Sequence, residues 1–253
     1  MPSAISRIIA AMVLAALASA VGAGDVNVAA SPDERTCFQI GSPYGPQVDI
    51  RSDVAIVYGI DDSLPARLAR WRERGYRVHV MTGAAWGAYQ DYVEGRIDGR
   101  EHHEDGQTRR DGEKIVHSPG VYYMVPTPAY TAFLGQRAQR AVEAGALALH
   151  LEEPEFWAAA GYSPSFQREW RDYYGTPWQP PHSSPAAQYL ASKLKYFLYR
   201  RCLDEVFRHA KAEARRRGRE FACYVPTHSM ISYAHIGIVS PESSLAALAS
   251  CDG

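Results

Sequence analysis

The run His150-Leu151-Glu152-Glu153-Pro154-Glu155-Phe156-Trp157 puts three carboxylates within four positions, next to two aromatic side chains. Carboxylates this close oppose one another's ionisation, and partial burial adds to the effect. One of them therefore becomes a proton donor near neutral pH. Glycoside cleavage uses such a donor together with a second carboxyl group across the scissile bond, about 5.5 Å away in retaining enzymes and farther in inverting ones. The competing reading of the same run is an exposed, solubilising acidic patch.

A second polar run, Glu101-His102-His103-Glu104-Asp105, lies between the turns at Asp98-Gly99 and Asp111-Gly112. Adjacent histidines seldom point the same way, so the segment reads as a solvated loop or a substrate-contacting insertion, and no metal ligand set or cofactor is assigned. Asp111-Gly112 between Thr108-Arg109 and Lys114-Ile115-Val116 is a hairpin-turn signal. Trp86, Trp157 and Trp178 are either stacking platforms for sugars or core residues. His228 either lines a sugar pocket or satisfies a structural contact.

The elements that must position these residues alternate between strand and helix. Val54–Tyr58 is a β-branched apolar run of the kind buried on both faces. It ends at Gly59-Ile60-Asp61-Asp62, and a helix from Leu64 to Arg74 follows, closed by Gly75. Tyr76–Met81 is the second strand and Val121–Val125 the third, with a helix over Tyr130–Ala144. Ala146–Leu151 is the fourth strand and runs into the three glutamates. A long helix spans Ala186–Arg217, and Phe221–Val225 is the fifth strand. Ser240-Pro241-Glu242 reads as a further helix start.

This rhythm implies a parallel sheet with crossover helices. A doubly wound nucleotide-binding sheet wants a glycine-rich turn after its first strand, where this chain has two carboxylates. A (β/α)8 TIM-type barrel places chemistry after each strand's C-terminal end. Polar residues stand at those ends here: Asp61 and Asp62, Trp86, Thr127 and Tyr130, Glu152 to Glu155, and Thr227 with His228. The barrel is the favoured fold, with Asp61, Trp86, Tyr130, Glu152, Glu155 and His228 as its pocket residues. Five strands are legible where a closed barrel has eight. The periodicity therefore predicts the N-terminal portion of a longer, truncated barrel over residues 51–253, after an irregular lead-in at 24–50.

A barrel strand ending in a polar residue, then Glu, then Pro resembles the strand-four signature of the clan A glycoside hydrolases. The segment Phe166-Gln167-Arg168-Glu169-Trp170-Arg171-Asp172-Tyr173-Tyr174-Gly175-Thr176-Pro177-Trp178 is similar to the one that follows that glutamate in family 42 β-galactosidase-like barrels. The resemblance implies that Glu153 is the general acid/base. Glu152 then stands where the family has an asparagine that hydrogen-bonds the sugar 2-hydroxyl, which changes the charge beside the acid. The clan's nucleophile, a glutamate ending strand seven, has no counterpart among the legible strands.

Arg7, the apolar run Ile8–Ala18 and the small residues Ala20 and Ala23 form a secretory signal pattern over residues 1–23, which predicts a secreted or periplasmic protein. The formal charge of −1 over 253 residues gives no reason to expect nucleic acid or an anionic membrane as a partner. Tyrosine and tryptophan are abundant, and rings with a polar edge suit sugars. Cys37, Cys202, Cys223 and Cys251 form no C-x-x-C pair, and Cys202 and Cys223 read as buried thiols. Three functions fit the pattern: a secreted glycoside hydrolase acting on a carbohydrate, a non-catalytic carbohydrate-binding barrel, and a metal-dependent hydrolase. The last wants a His-x-His at the end of the first strand, which Gly59-Ile60-Asp61-Asp62 lacks.

Overall fold

The computed structural model describes residues 34–228, 236–239 and 250–253. Its elements run β1 (Cys37–Ile40), β2 (Val54–Tyr58), α1 (Leu64–Arg72), β3 (Arg77–Gly83), the single-turn α2 (Gln90–Val93), β4 (Val116–Ser118) and β5 (Val121–Tyr122). They continue with α3 (Pro128–Glu143), β6 (Ala148–Glu152), β7 (Phe156–Trp157), α4 (Pro164–Tyr174), α5 (Pro185–Arg216), β8 (Ala222–Tyr224) and β9 (Ile238–Val239). The expected signal segment and the helix start at Ser240-Pro241-Glu242 lie outside the described residues. Among the described residues, no helix is long and apolar enough to cross a membrane.

One all-parallel sheet has the strand order β1-β2-β3-β6-β8. The order follows the chain and never reverses. A doubly wound sheet reverses at its first strand, whereas consecutive right-handed crossovers in one direction keep every connection on one face. Phe38, Ala55, Val57, Val78, Val80, Leu149 and Cys223 point to that face and meet α1, α3 and the C-terminal half of α5 in the main core. Burying each such apolar side chain contributes about 1.5–3 kcal/mol. The described strands leave the sheet open, with β1 and β8 as its edges.

Two sequence expectations are corrected. The lead-in is not irregular throughout, because Cys37–Ile40 pairs in parallel with Val54–Val57. Fully buried Trp71 anchors it: Phe38, Tyr44 and Tyr76 pack edge-on around its ring, and its indole N–H donates to the Ser42 carbonyl. Val121–Val125 does not join the main sheet. Val121–Tyr122 pairs antiparallel with β4, and the backbone groups of Tyr123, Met124 and Val125 are taken up by Ile115, Gln107, Ala85 and Asp105. An apolar run of five residues does not reveal its partner. Here an insertion between β3 and α3 claimed it.

That insertion builds a second core with α4 and the N-terminal half of α5, including Ile115, Tyr123, Phe156, Phe166, Trp170 and Tyr199. The 32 residues of α5 make a rod of about 48 Å, long enough to serve both cores. Ser/Thr-Pro pairs start α3, α4 and α5. Thr127, Ser163 and Ser184 accept from the backbone N–H of Tyr130, Phe166 and Ala187, and proline fills the first helical position.

Candidate active site

The strand ends are tied together before any side chain acts. The Glu152 carbonyl at the end of β6 accepts from Ala84 N–H beyond β3 at 2.7 Å, and Glu153 N–H donates to the Pro226 carbonyl beyond β8 at 3.0 Å. Glu153 adopts a left-handed backbone with φ 52°, a conformation that costs a non-glycine residue about 1–3 kcal/mol. A tight turn over Pro154 follows, in which Glu155 N–H donates to the Glu153 carbonyl at 2.7 Å. The left-handed residue and this turn bring the carboxyl groups of Glu153 and Glu155 together.

Glu153 Oε2 accepts the indole N–H of Trp86 at 2.9 Å, and its Oε1 lies 2.9 Å from His228 Nε2. Trp86 reaches this position because residue 83 is glycine. A Cβ there would sit 2.1 Å from the Trp86 carbonyl oxygen. Glu155 is 2% exposed, and burial, reinforced by the Glu153 charge, pushes its carboxyl up to about 7. Among the described residues its Oε1 has no hydrogen-bond donor, and it lies 3.7 Å from His228 Nε2. Glu152 is half-buried on the opposite sheet face. Burial also raises its carboxyl, with the nearby Tyr58 hydroxyl opposing and the Glu153 charge adding. Of the three acids, Glu155 is the one whose carboxyl is raised to near neutral pH.

Two buried polar side chains hold the loop after Glu155. The Gln107 amide donates to the Glu155 and Met124 carbonyls and accepts from Trp157 N–H. Fully buried Lys195 donates to the carbonyls of Trp157, Ala158 and Ala160 at 2.8–3.1 Å. Burial pushes Lys195 down to about 7, while three acceptors match the three N–H groups of an ammonium.

A cleft of about 430 Å³ opens between the ends of β2 and β3 and the β4–β5 hairpin, with Tyr58, Asp61, Trp86, Gln90, His117 and Arg137 in its walls. The exposed His117 ring stacks flat on Trp86 at 3.7 Å between centroids. Trp86 belongs to both the cleft and the glutamate cluster.

Of the sequence-derived site residues, Glu153, Glu155, Trp86 and His228 converge. Glu152 borders them through the opposite sheet face. Asp61 lines the cleft, but its carboxylate is occupied by the N–H and hydroxyl of Ser63 and by Arg67. Tyr130 is corrected: it is fully buried in the main core and its hydroxyl donates to the Ala84 carbonyl at 3.0 Å. It braces the strand end from beneath and offers nothing to a ligand. In the Glu101–Asp105 segment the two histidines diverge. His102 is buried between Asp98 and Asp105 and stacked on Tyr92, and His103 is exposed. Sequence reasoning missed Tyr58, His117, Gln107 and Lys195. Tyr58 ends the first strand read and was open to notice. His117 and Gln107 reach the site only through the insertion's fold.

No family model matches the chain, and no curated protein does. Among solved structures, the glycoside hydrolase domain of PelA from Pseudomonas aeruginosa aligns at 11% identity and TM-score 0.42, over 76% of this chain and 60% of that one. The alpha-galactosidase of Thermus thermophilus, solved with stachyose, aligns at 11% identity and TM-score 0.39, over 70% and 34%. Aspergillus fumigatus Ega3, solved with galactosamine, aligns at 10% identity and TM-score 0.33, over 80% and 82%. The chain thus spans well under two thirds of the first two. Each overlap is remote, and the functional reading rests on the site's own residues.

Proposed function

We propose that this chain is an exported, glycoside hydrolase-like protein acting on a carbohydrate, with Glu153 as its general acid/base. The observation that carries the reading is the seating of Glu153. A carboxylate at the C-terminal end of a central parallel strand is held in a left-handed backbone between the Trp86 indole and His228, at the border of an aromatic-walled cleft. Non-glycine residues in that conformation concentrate at functional sites. An indole face with a polar edge, and the Tyr58, Gln90 and Arg137 side chains beside it, suit the apolar faces and hydroxyls of a sugar. Clefts of this size lie in the range used for small ligands.

The test is turnover of an oligosaccharide panel by the full chain and by Glu153→Gln. Loss of general acid/base catalysis lowers the rate about 10²–10⁴-fold, with the circular dichroism spectrum retained. Undiminished turnover in the variant removes Glu153 from the mechanism. Calorimetric sugar binding without cleavage by the unmodified chain replaces the hydrolase by a carbohydrate-binding protein.

A further inference from the structure

Glu153, Glu155 and His228 each offer one ligand atom, and these atoms lie within 4.8 Å of one another. The two carboxylate oxygens converge on a single nitrogen, His228 Nε2, at 2.9 Å from Glu153 and 3.7 Å from Glu155. Ligand atoms bound tetrahedrally at about 2.0–2.1 Å from a zinc ion stand roughly 3.3 Å apart. The two separations bracket that spacing.

A second observation is independent of the clustering. Glu155 is 2% exposed and its Oε1, the atom aimed at His228, has no hydrogen-bond donor among the described residues. Water is excluded from that oxygen, and a buried carboxylate oxygen is unfavourable unless a cation or a proton satisfies it. By contrast, in the acidic segment at Glu101–Asp105, Glu104 is paired with Arg100 and Arg168, and Asp105 accepts from the Tyr92 and Thr127 hydroxyls.

We propose that Glu153, Glu155 and His228 form a binding site for one divalent transition-metal ion of the zinc type. The imidazole nitrogen favours a borderline ion such as Zn²⁺ over Ca²⁺ and Mg²⁺, which take oxygen shells. Three protein ligands leave the remaining position to water or a ligand. A Glu153 oxygen bound to zinc holds no transferable proton, so zinc occupancy and the acid/base role of Glu153 exclude each other. Zinc is then an inhibitor of the proposed hydrolysis, reversed by a chelator.

The site is tested without sugar, by calorimetric titration of the metal-free full chain with Zn²⁺ and separately with Ca²⁺. The expected result is one zinc per chain at micromolar affinity or tighter, with much weaker calcium binding. Zinc affinity is expected to fall by at least about tenfold in both His228→Ala and Glu155→Gln. His228 is exposed, so its variant reports even if the buried Glu155 variant fails to fold. Unchanged zinc affinity in His228→Ala, or calcium binding as tight as zinc, overturns the site. A failed titration leaves the hydrolase reading standing, and absent hydrolysis leaves the metal site standing.

Discussion

At the scale of single residues, Glu153 and its neighbours divide the labour between charge and geometry. The left-handed backbone of Glu153 turns its carboxyl toward the Trp86 indole, and removing the donor from a part-buried acceptor costs about 1–3 kcal/mol. Trp86→Phe keeps an aromatic ring in the cleft and removes that donor. Steady-state kinetics are expected to show kcat/KM reduced about 10- to 100-fold, with thermal stability close to that of the unmodified chain. Full activity in the variant means that the indole is a wall of the cleft and nothing more. Glu153 and the acids around it were legible in the sequence, because crowded carboxylates at a strand end constrain their own chemistry. Tyr130 was misread because its hydroxyl finds a backbone carbonyl inside the core, and position along a strand end does not tell which way a side chain turns.

At the scale of elements, the site depends on a loop with little regular structure that is clamped from outside. Lys195 on α5 holds three consecutive-region carbonyls from 157 to 160. Lys195→Met leaves those acceptors without donors, which is expected to destabilise the protein by about 3 kcal/mol. Hydrogen exchange in the 156–160 segment should accelerate with it. An unchanged denaturation midpoint and unchanged exchange refute the clamp. Four of the five strands in the main sheet were legible from their apolar runs, and Gly75, Gly145 and Gly218 marked helix ends through left-handed turns. The Ser/Thr-Pro pairs at 127–128, 163–164 and 184–185 carry the same start signal as Ser240-Pro241, yet the helices expected from the sequence begin later, at Tyr130 and Ala186. The remaining strand, Cys37–Ile40, was hidden because it has only two core-facing residues, Phe38 and Ile40, and owes its place to Trp71.

Across the whole molecule, one sheet face is packed with helices, and the other sets a polar cluster beside the apolar Val54, Ile56 and Met81. His79 Nδ1 lies 3.1 Å from His150 Nε2, Tyr224 stacks against both rings, and the Glu34 and Arg77 side chains pair with each other beside His79. Burial pushes His79 down to about 4, with the Arg77 charge adding, and pushes His150 down to about 3, with His79 adding. The unfolded histidines titrate near 6.5. Both pKa values are lower in the folded state, so the unfolded chain takes up protons first as pH falls. The stability contribution is complete above about pH 6.5 and is lost progressively from there toward pH 4 and below. Each histidine accounts for about 2–3 kcal/mol of that loss between pH 7.5 and 4.5, while the raised Glu155 carboxyl works in the opposite direction. The fall in urea midpoint is therefore expected to be smaller in His150→Phe than in the unmodified chain by the share of one histidine. The same pH profile in His150→Phe as in the unmodified chain contradicts the buried, neutral pair. The monotone order of the parallel strands is compatible with the barrel-like winding expected from the strand–helix rhythm.

The assignment of Glu153 as general acid is tested most directly by the leaving-group dependence of Glu153→Gln. A glycoside with a dinitrophenolate leaving group needs no protonation to depart, whereas an oligosaccharide does. The variant is expected to cleave the activated glycoside with kcat/KM near that of the unmodified chain, while kcat/KM on oligosaccharides falls about 10²–10⁴-fold. Equal loss on both substrates, or no loss on either, contradicts the assignment.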